Sequence, residues 1–362
     1  MRTKEEWMDL ALNLAEATIG QTSPNPSVGA VVVKNGELLG IGTHLKAGEA
    51  HAEVHAIAQA GEKAKGAEVY VTLEPCAHYG KTPPCAELLV KSKVKKVYIA
   101  CLDPNPKVAG KGVKILTEAG IEVEIGIGEL RAQRINQHFF HNQNKKRPFI
   151  TLKAATTLDG KTATVTGDSK WITSEKARED VHKERHKHDA ILVGRRTIEK
   201  DNPSLTTRLA QGGKSPIRII LDTELTIQDD YNVLKNDTNT WIICGKQADK
   251  ASFQEKYPHI KVIQMATAQI ILSDLMEILA EEKIQSIYVE GGATIHRSFL
   301  EENLVDECHW YIAPKLLGGQ DARSVIGGDS PTWMKSALDL TFTQIEQIGE
   351  DLKITATLKE EG

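Results

Sequence analysis

The sequence predicts an α/β protein built as two layered domains, and three observations carry that expectation. Short aliphatic and β-branched runs alternate with amphipathic segments along nearly the whole chain, the pattern of sheets covered by helices. The segment Asn144-Lys145-Lys146-Arg147-Pro148 interrupts the series with charge and ends in proline, which suits a linker. The length, 362 residues, gives two domains at roughly 100–200 residues each. The expected domains are therefore 1–146 and 147–362.

The elements follow in order. Thr3 and Glu6 have capping-box spacing, and Trp7, Leu10, Ala11 and Leu14 share one face, so a helix is expected over about residues 4–18, ended by Gly20. Ala30–Val33 and Leu38–Ile41 flank Asn35-Gly36, a hairpin signal. A helix should begin near Ala50–Ala52. Val69–Leu73 reads as a strand, and Pro83-Pro84 opens a helix through Leu88 and Leu89, since proline fits the first turn. Val97–Ala100 and Ile121–Ile125 read as strands around a helix at Val113–Ala119, and Leu130–His141 as one further helix. Beyond the linker, Phe149–Ala155, Ala190–Val193, Ile217–Leu221, Thr240–Ile243 and Ser286–Val289 read as strands. Ser174–Lys187 and Asp274–Glu282 read as helices, and Cys308–Ile312 and Lys353–Leu358 as late strands. A largely parallel sheet with antiparallel additions near the end is expected.

Composition excludes several classes. The formal charge is −4, which argues against nucleic-acid binding through a general basic field. No run approaches the roughly 20 apolar residues of a membrane span, and the charged N-terminus lacks a signal-peptide core. The five cysteines, Cys76, Cys85, Cys101, Cys244 and Cys308, are an odd and sparse set, which reads as a reduced, cytoplasmic protein.

Two of those cysteines carry the chemistry. His51-Ala52-Glu53 is followed by Glu74-Pro75-Cys76-Ala77-His78-Tyr79-Gly80-Lys81-Thr82-Pro83-Pro84-Cys85. One imidazole and two thiolates make three zinc ligands, and zinc prefers four, which leaves a position for water. Lowering the pKa of water from 15.7 to about 7 makes hydroxide roughly 12 kcal/mol easier to form. Ammonia leaves a heteroaromatic ring only when protonated, so a carboxylate must carry the proton from water to amine. Glu53, two residues from the ligand His51, is placed for that. The nucleobase-deaminase pattern is H-x-E followed by P-C-x-x-C; here eight residues separate the cysteines, and the longer loop bears His78 and Lys81. A closed structural zinc site is the alternative, with His55 or His78 as fourth ligand.

At these residues the chain resembles the bifunctional riboflavin-biosynthesis deaminase/reductase family, RibD or RibG, whose motif has this longer cysteine spacing. The likeness continues in Asn25-Pro26-Ser27-Val28-Gly29, Asp103-Pro104-Asn105-Pro106, Lys153-Ala154-Ala155, Leu158-Asp159-Gly160-Lys161, Ser169-Lys170-Trp171-Ile172-Thr173, Asp201-Asn202-Pro203 and Val289-Glu290-Gly291-Gly292. It implies a cytidine-deaminase-like first domain and a dihydrofolate-reductase-like second domain. It further implies zinc-dependent hydrolysis of an amino group from a diaminopyrimidinone carrying a ribosylamino phosphate, then reduction of the ribosyl chain to ribityl with NADPH. The implied metal ligands are His51, Cys76 and Cys85, and the implied proton shuttle is Glu53. Asn25, His44, His78 and Lys81 become substrate contacts of the deaminase, with Asp103 and Asn105 near the ribosyl phosphate.

The second site has less of its own to read. G-x-G-x-x-G is absent, so nicotinamide use has no glycine fingerprint here. Val289-Glu290-Gly291-Gly292-Ala293-Thr294 runs a strand through glycines into a helix, where backbone N–H groups can meet a phosphate; a packing turn is the other reading. The resemblance makes Lys153 and Asp201 catalytic. It makes Ser169, Arg185, Leu205, Arg208 and Glu290 substrate contacts, the arginines suiting a phosphate, although Arg185 lies in the basic run His182–His188 and could face solvent. It makes Ala155, Trp171, Thr197, Asp201 and Gly292, Ala293, Thr294, Ile295, His296 and Arg297 cofactor contacts; Trp171 could instead be a core aromatic.

The implied partners are small pyrimidine ribosyl phosphates and further copies of the chain, with neither nucleic acid nor membrane. A nucleoside or tRNA deaminase with an unrelated C-terminal module is the alternative enzyme. A zinc-stabilised binding protein is the non-enzymatic one, and it would have no use for Glu53.

Overall fold

The computed structural model describes residues 2–79, 83–105, 109–227, 230–235 and 238–359. It divides into two compact units, Met1–Lys146 and Arg147–Gly362. None of the described helices is long and apolar enough to cross a membrane.

The first unit is a five-stranded sheet covered by helices. Its elements are α1 (Lys4–Glu16), β1 (Gly29–Lys34), β2 (Glu37–Thr43), α2 (Ala52–Ala60), β3 (Glu68–Leu73), α3 (Cys85–Lys91), β4 (Lys96–Cys101), α4 (Lys111–Glu118), β5 (Glu122–Ile125), α5 (Glu129–Ile135) and α6 (Gln137–Lys145). Strand order is β2-β1-β3-β4-β5. The first two neighbouring pairs are antiparallel and the last two parallel. The capping box holds the start of α1: the Glu6 amide donates to Thr3 Oγ1, and the Thr3 amide donates to the Glu6 carboxylate at 2.8 Å. Leu12, Val31, Val71, Leu89 and Ile99 are fully buried in one core, and each such side chain contributes about 1.5–3 kcal/mol of burial.

One contact sets the site. Ala52 and Ala56 of α2 lie directly on Gly40 and Gly42 of β2. A Cβ at Gly42 would sit 2.1 Å from the Ala52 carbonyl oxygen, and one at Gly40 2.2 Å from that of Ala56. Small residues on both sides let helix and strand approach this closely, which fixes the start of α2.

One expectation fails here. Leu130–His141 is not a single helix: α5 ends and α6 begins around Asn136, whose φ/ψ of −107°/23° leave the helical region. The reason is the Asn136 side chain. Its Oδ1 accepts the Ser27 amide at 2.7 Å and its Nδ2 donates to the Ser27 carbonyl at 2.9 Å, both buried. The helix gives way so that one amide can clamp the loop that follows α1.

The second unit comprises β6 (Phe149–Thr157), β7 (Lys161–Ala163), α7 (Glu175–Lys187), β8 (Ala190–Gly194), α8 (Arg195–Asp201), β9 (Ile217–Leu221), β10 (Thr240–Cys244), α9 (Lys250–Lys256), β11 (Lys261–Gln264), α10 (Leu272–Glu281), β12 (Ser286–Val289), α11 (Ala293–Glu301), β13 (Glu307–Ala313), β14 (Arg323–Ser324), β15 (Leu340–Ile348) and β16 (Asp351–Leu358). Nine strands form one sheet in the order β11-β10-β9-β8-β12-β6-β13-β16-β15, and β14 pairs β7 separately. The sheet is parallel from β11 to β13, and β16 and β15 add antiparallel. Successive residues face opposite cores: Ile219 and Ile243 join one cluster, Ile220 and Ile242 the other. Burial on both faces is why these strands read as continuous apolar runs.

Candidate functional sites

In the first unit, His51 is the residue before α2, with extended backbone (φ −77°, ψ 164°). Cys76 follows β3 and Cys85 opens α3 after Pro84. These three segments converge so that His51 Nδ1 lies 3.6 Å from Cys76 Sγ and 3.3 Å from Cys85 Sγ. All three ligand atoms fall within 4.8 Å of one another. One nitrogen and two sulfurs at that separation fit a tetrahedral zinc ion with one corner left for a non-protein ligand. Among the described residues neither His55 nor His78 joins the group, so the closed structural site has no fourth protein ligand there. Hydrogen bonds from the Cys85 thiol and from His51 hold Cys76 toward thiolate, its pKa lowered to about 4.

Glu53 is 3 % exposed. Burial, with the Cys76 charge adding to it, pushes its carboxyl up to about 7, where a group can both take and give a proton near neutrality. A cavity of about 380 Å³ opens over this centre, and His51, Glu53 and Cys76 contribute to its wall. Asn25, His44, His78, Asp103 and Asn105 line the same cavity. His44 Nδ1 donates to the Ala50 carbonyl at 3.1 Å, which leaves Nε2 to accept from Asn25 Nδ2 at 3.1 Å; burial keeps the ring neutral by lowering its pKa. Asp103 Oδ1 accepts the Asn105 amide at 2.8 Å. Lys81 lies outside the described residues.

Sequence reasoning missed Glu74, Phe139 and Asn136. Glu74 and Phe139 line the cavity. The buried Glu74 carboxylate accepts the amides of Gly110, Gly112 and Val113 at 3.0, 2.9 and 3.2 Å. It thereby ties the cysteine loop to the segment that follows Asn105. An acidic residue inside the Glu74-Pro75-Cys76 run was the available signal.

In the second unit, α7 presents Arg178, His182 and Arg185 to one cavity of about 370 Å³, the i, i+4, i+7 face of a helix. Glu290, just beyond β12, anchors that cavity. Arg185 grips it with Nε–Oε1 at 2.7 Å and Nη2–Oε2 at 3.0 Å, and Nη1 donates to the Thr206 carbonyl at 3.0 Å. Lys153 Nζ lies 3.6 Å from Glu290 Oε2. Burial opposes ionisation of Glu290, but Arg185 and Lys153 outweigh it and hold its pKa at about 2. Burial, with Arg185 and Arg208 near, lowers His182 to about 4.

Lys153, Ala155, Ser169, Trp171, Arg185, Asp201, Arg208, Glu290, Gly292, Ala293 and His296 all line this cavity. Thr197 and Thr294 line a neighbouring one of about 710 Å³, which shares Ser169, Asp201, Glu290, Gly292 and Ala293 with the first. Leu205, Ile295 and Arg297 line neither. Leu205 is buried at φ 53°, Ile295 packs in the core, and Arg297 pairs with Glu301 at 2.7 Å. Trp171 is 63 % exposed, under the Arg178 guanidinium at 4.4 Å, and is not a core aromatic. Lys315 Nζ donates to the Trp171 and Ile172 carbonyls at 2.7 Å each.

Two family models match the chain. Residues 1–101 match the cytidine and deoxycytidylate deaminase zinc-binding region, and residues 148–354 match the RibD C-terminal domain. The riboflavin biosynthesis protein RibD of Bacillus amyloliquefaciens is 52% identical over 359 residues, covering 99% of this chain and 97% of that one. The RibD of Aquifex aeolicus is 45% identical, covering 97% of each. Among solved structures, Acinetobacter baumannii RibD in form 1 superposes with a TM-score of 0.91 at 40% identity, covering 98% of this chain and 99% of that one. A diaminohydroxyphosphoribosylaminopyrimidine deaminase/5-amino-6-(5-phosphoribosylamino)uracil reductase from Thermotoga maritima superposes with a TM-score of 0.88 at 35% identity, covering 98% of each.

Proposed function

Because this chain belongs to the RibD family, the bifunctional deaminase/reductases of riboflavin biosynthesis, we propose a division of its two reactions between the units and their residues. Residues 1–146 hydrolyse the amino group of the diaminopyrimidinone ribosyl phosphate. Residues 147–362 reduce the ribosyl chain of the product.

One observation carries the first assignment: the nearly inaccessible Glu53 carboxyl beside the His51, Cys76 and Cys85 cluster on a ring-sized cavity. Zinc held by His51, Cys76 and Cys85 supplies the Lewis acidity that makes water reactive near neutral pH. Glu53 takes the proton of the attacking water and returns it to the departing amine. Asn25 and His44, bonded to each other, orient the ring. His78 and Asn105 meet the ribosyl phosphate end, and Asp103 accepts from a sugar hydroxyl. Lys81 completes the contacts by its likeness to the family. The test follows ammonia release and cofactor absorbance separately, with the diaminopyrimidinone ribosyl phosphate and NADPH supplied together. Ammonia that appears only when NADPH is consumed would sink the two-step order.

In the second unit, bound NADPH supplies the hydride. Ala155, Trp171, Thr197, Asp201, Gly292, Ala293, Thr294 and His296 hold it, Ile295 and Arg297 being contacts only by their likeness to the family, and the open glycine turn before α11 suits its pyrophosphate. Lys153, held 3.6 Å from Glu290, polarises the sugar, and Asp201 passes the proton from the amine nitrogen to the ring oxygen as the ring opens. Ser169, Arg208 and Arg185 position the substrate, Arg185 with three of its five donors already committed to the protein, and Leu205, buried behind them, is a contact only by its likeness to the family.

We infer that copies of the chain assemble. Leu340, Phe342, Ile345 and Leu352 are exposed on β15 and β16 at the sheet edge, a place where apolar side chains mark an interface. Work in the cytoplasm is supported by five free thiols, two of which the metal site needs reduced.

A further inference from the structure

The approach to α7 carries fixings that the two reactions leave unexplained. Trp171, Ile172 and Thr173 form one rim of the cavity of about 370 Å³, and each of their carbonyl oxygens is taken by a side chain from outside the segment. Lys315 Nζ donates to the Trp171 and Ile172 carbonyls at 2.7 Å each. Arg178 Nη1 donates to the Thr173 carbonyl at 2.7 Å. The next residue, Ser174, which caps α7, gives its amide and hydroxyl to the Asp351 carboxylate at 2.8 and 2.6 Å. Four consecutive residues are therefore pinned one by one, outside any strand or helix that would hold them.

Lys315 is the unusual member. It is exposed, just past the end of β13, and it directs its ammonium to two neutral carbonyls. Its own backbone is fixed from the end of β6, the strand that carries Lys153 and Ala155. The Leu158 amide donates to the Lys315 carbonyl at 2.8 Å. The Asp159 carboxylate accepts the Leu317 amide at 3.1 Å and the Gly318 amide at 2.7 Å, and Thr157 Oγ1 donates to it at 2.6 Å. The Thr157 hydroxyl and then the two amides hold that carboxyl down at about 2, so the clasp stays charged at neutral pH. An exposed lysine adds little to global stability through such bonds, since water competes and the long side chain loses entropy. Its effect is local, on the two carbonyls it holds.

The ring beyond those carbonyls needs that hold. Trp171 is 63 % exposed, with the Arg178 guanidinium over it at 4.4 Å, so core packing does not set where it stands. An aromatic wall receives a ligand well only if its backbone keeps one position. We propose that Lys315 is a positioning residue for the reduction: anchored through the Asp159 clasp, it holds the Trp171 and Ile172 carbonyls and so sets the rim against which the cofactor binds. The proposal rests on the reading of Trp171 as a cofactor contact of a nicotinamide-dependent reductase.

Steady-state reduction by the full chain, with NADPH and the deaminated pyrimidine ribosyl phosphate supplied, tests it. Lys315→Met keeps the length of the side chain and loses the donors. It should raise KM for NADPH about tenfold, the worth of one charge-assisted hydrogen bond, and change kcat by less than about twofold. Lys315→Arg, which can still donate to both carbonyls, should return KM to within about twofold of native. The thermal midpoint and the rate of ammonia release should not move in either variant. In a Trp171→Ala background, Lys315→Met should add almost nothing, because residues that act through one another are not additive. An unmoved KM in Lys315→Met would overturn the proposal. So would full additivity with Trp171→Ala, or an equal loss in Lys315→Arg with a lowered midpoint, which would make the lysine a structural prop. A native chain that oxidises no NADPH would overturn the underlying reductase reading as well.

Discussion

The two sites are built on opposite plans. In the first unit, the metal ligands and the proton carrier lie within 35 residues and stand at the starts of helices α2 and α3 and at the end of one strand. Their ligand atoms crowd together, with His51 Nδ1 3.6 Å from Cys76 Sγ and 3.3 Å from Cys85 Sγ, and the buried Glu53 carboxyl lines the same cavity. In the second unit, Lys153, Arg185, Asp201 and Glu290 span well over a hundred residues and come from a strand, a helix, a helix end and a strand end. There a fixed ion network of Arg185, Lys153 and Glu290 takes the place of a metal-ligand cluster. Proton chemistry needs atoms at set short distances, which adjacent residues on a rigid turn supply cheaply. Holding two large ligands needs a wide wall, which only a fold can collect.

The strongest way to break this contrast is Glu53→Gln. Deamination should fall by about 10²–10⁴-fold, the usual worth of a general acid–base, with zinc content unchanged by elemental analysis. Reduction of supplied deaminated substrate should continue at the native rate. Ammonia release at the normal rate would show that the proton travels another way.

Next in size is Glu290→Ala. It leaves Arg185 and Lys153 as buried charges without their partner, and breaking such a pair costs about 3–5 kcal/mol. Denaturant unfolding followed by tryptophan fluorescence should register it, since Trp171, Trp241, Trp310 and Trp333 all lie in the second unit. A midpoint unmoved by the change would mean the network is not what holds the wall.

Acid should act on the same wall. Burial lowers both His182 and His296 to about 4, below the ordinary 6.5 of the unfolded chain. The unfolded chain therefore binds those protons first, so their contribution to stability is complete above about pH 6.5 and is lost as pH falls toward 4. His296→Gln should flatten the fall in the thermal midpoint across that window, and an unchanged slope would remove His296 from the account.

How much of this was legible follows the same contrast. His51, Glu53, Cys76 and Cys85 were readable because their chemistry is local: the spacing itself states the ligand set. Lys153, Asp201 and Glu290 were not, because nothing in their flanking residues says that β6, α8 and β12 meet; only the likeness to a family brought them forward. Asn136 was missed because one asparagine within a helical pattern looks like surface, and only the partner Ser27, 109 residues away, explains it. Strand β15 was missed because the register slips between Phe342 and Gln344, which spoils the alternation a strand should show. The parallel order of the large sheet was legible, since strands buried on both sides leave continuous apolar runs.

Smaller effects sharpen the picture. Asn136→Ala strands the buried Ser27 amide and carbonyl, which costs about 1–3 kcal/mol. Because the clamp holds the Asn25 loop, KM for deamination should rise more than kcat falls, and an equal effect on both would point to a general loss of structure. Smallest is Arg178→Ala, which removes a cation over an exposed ring worth about 0.5–1 kcal/mol. It should raise KM for NADPH a few-fold and leave deamination untouched.

The seating of α2 on β2 has a consequence for anyone who would retune this catalyst. A single rigid body delivers both His51 and Glu53, and it rests on a hard stop made of two absent side chains, at Gly40 and Gly42. Adding one methyl group at either position would lift ligand and proton carrier together. Metal affinity and turnover therefore share one adjustment screw, and mutagenesis on that strand will find variants that lose both and none that trade one for the other.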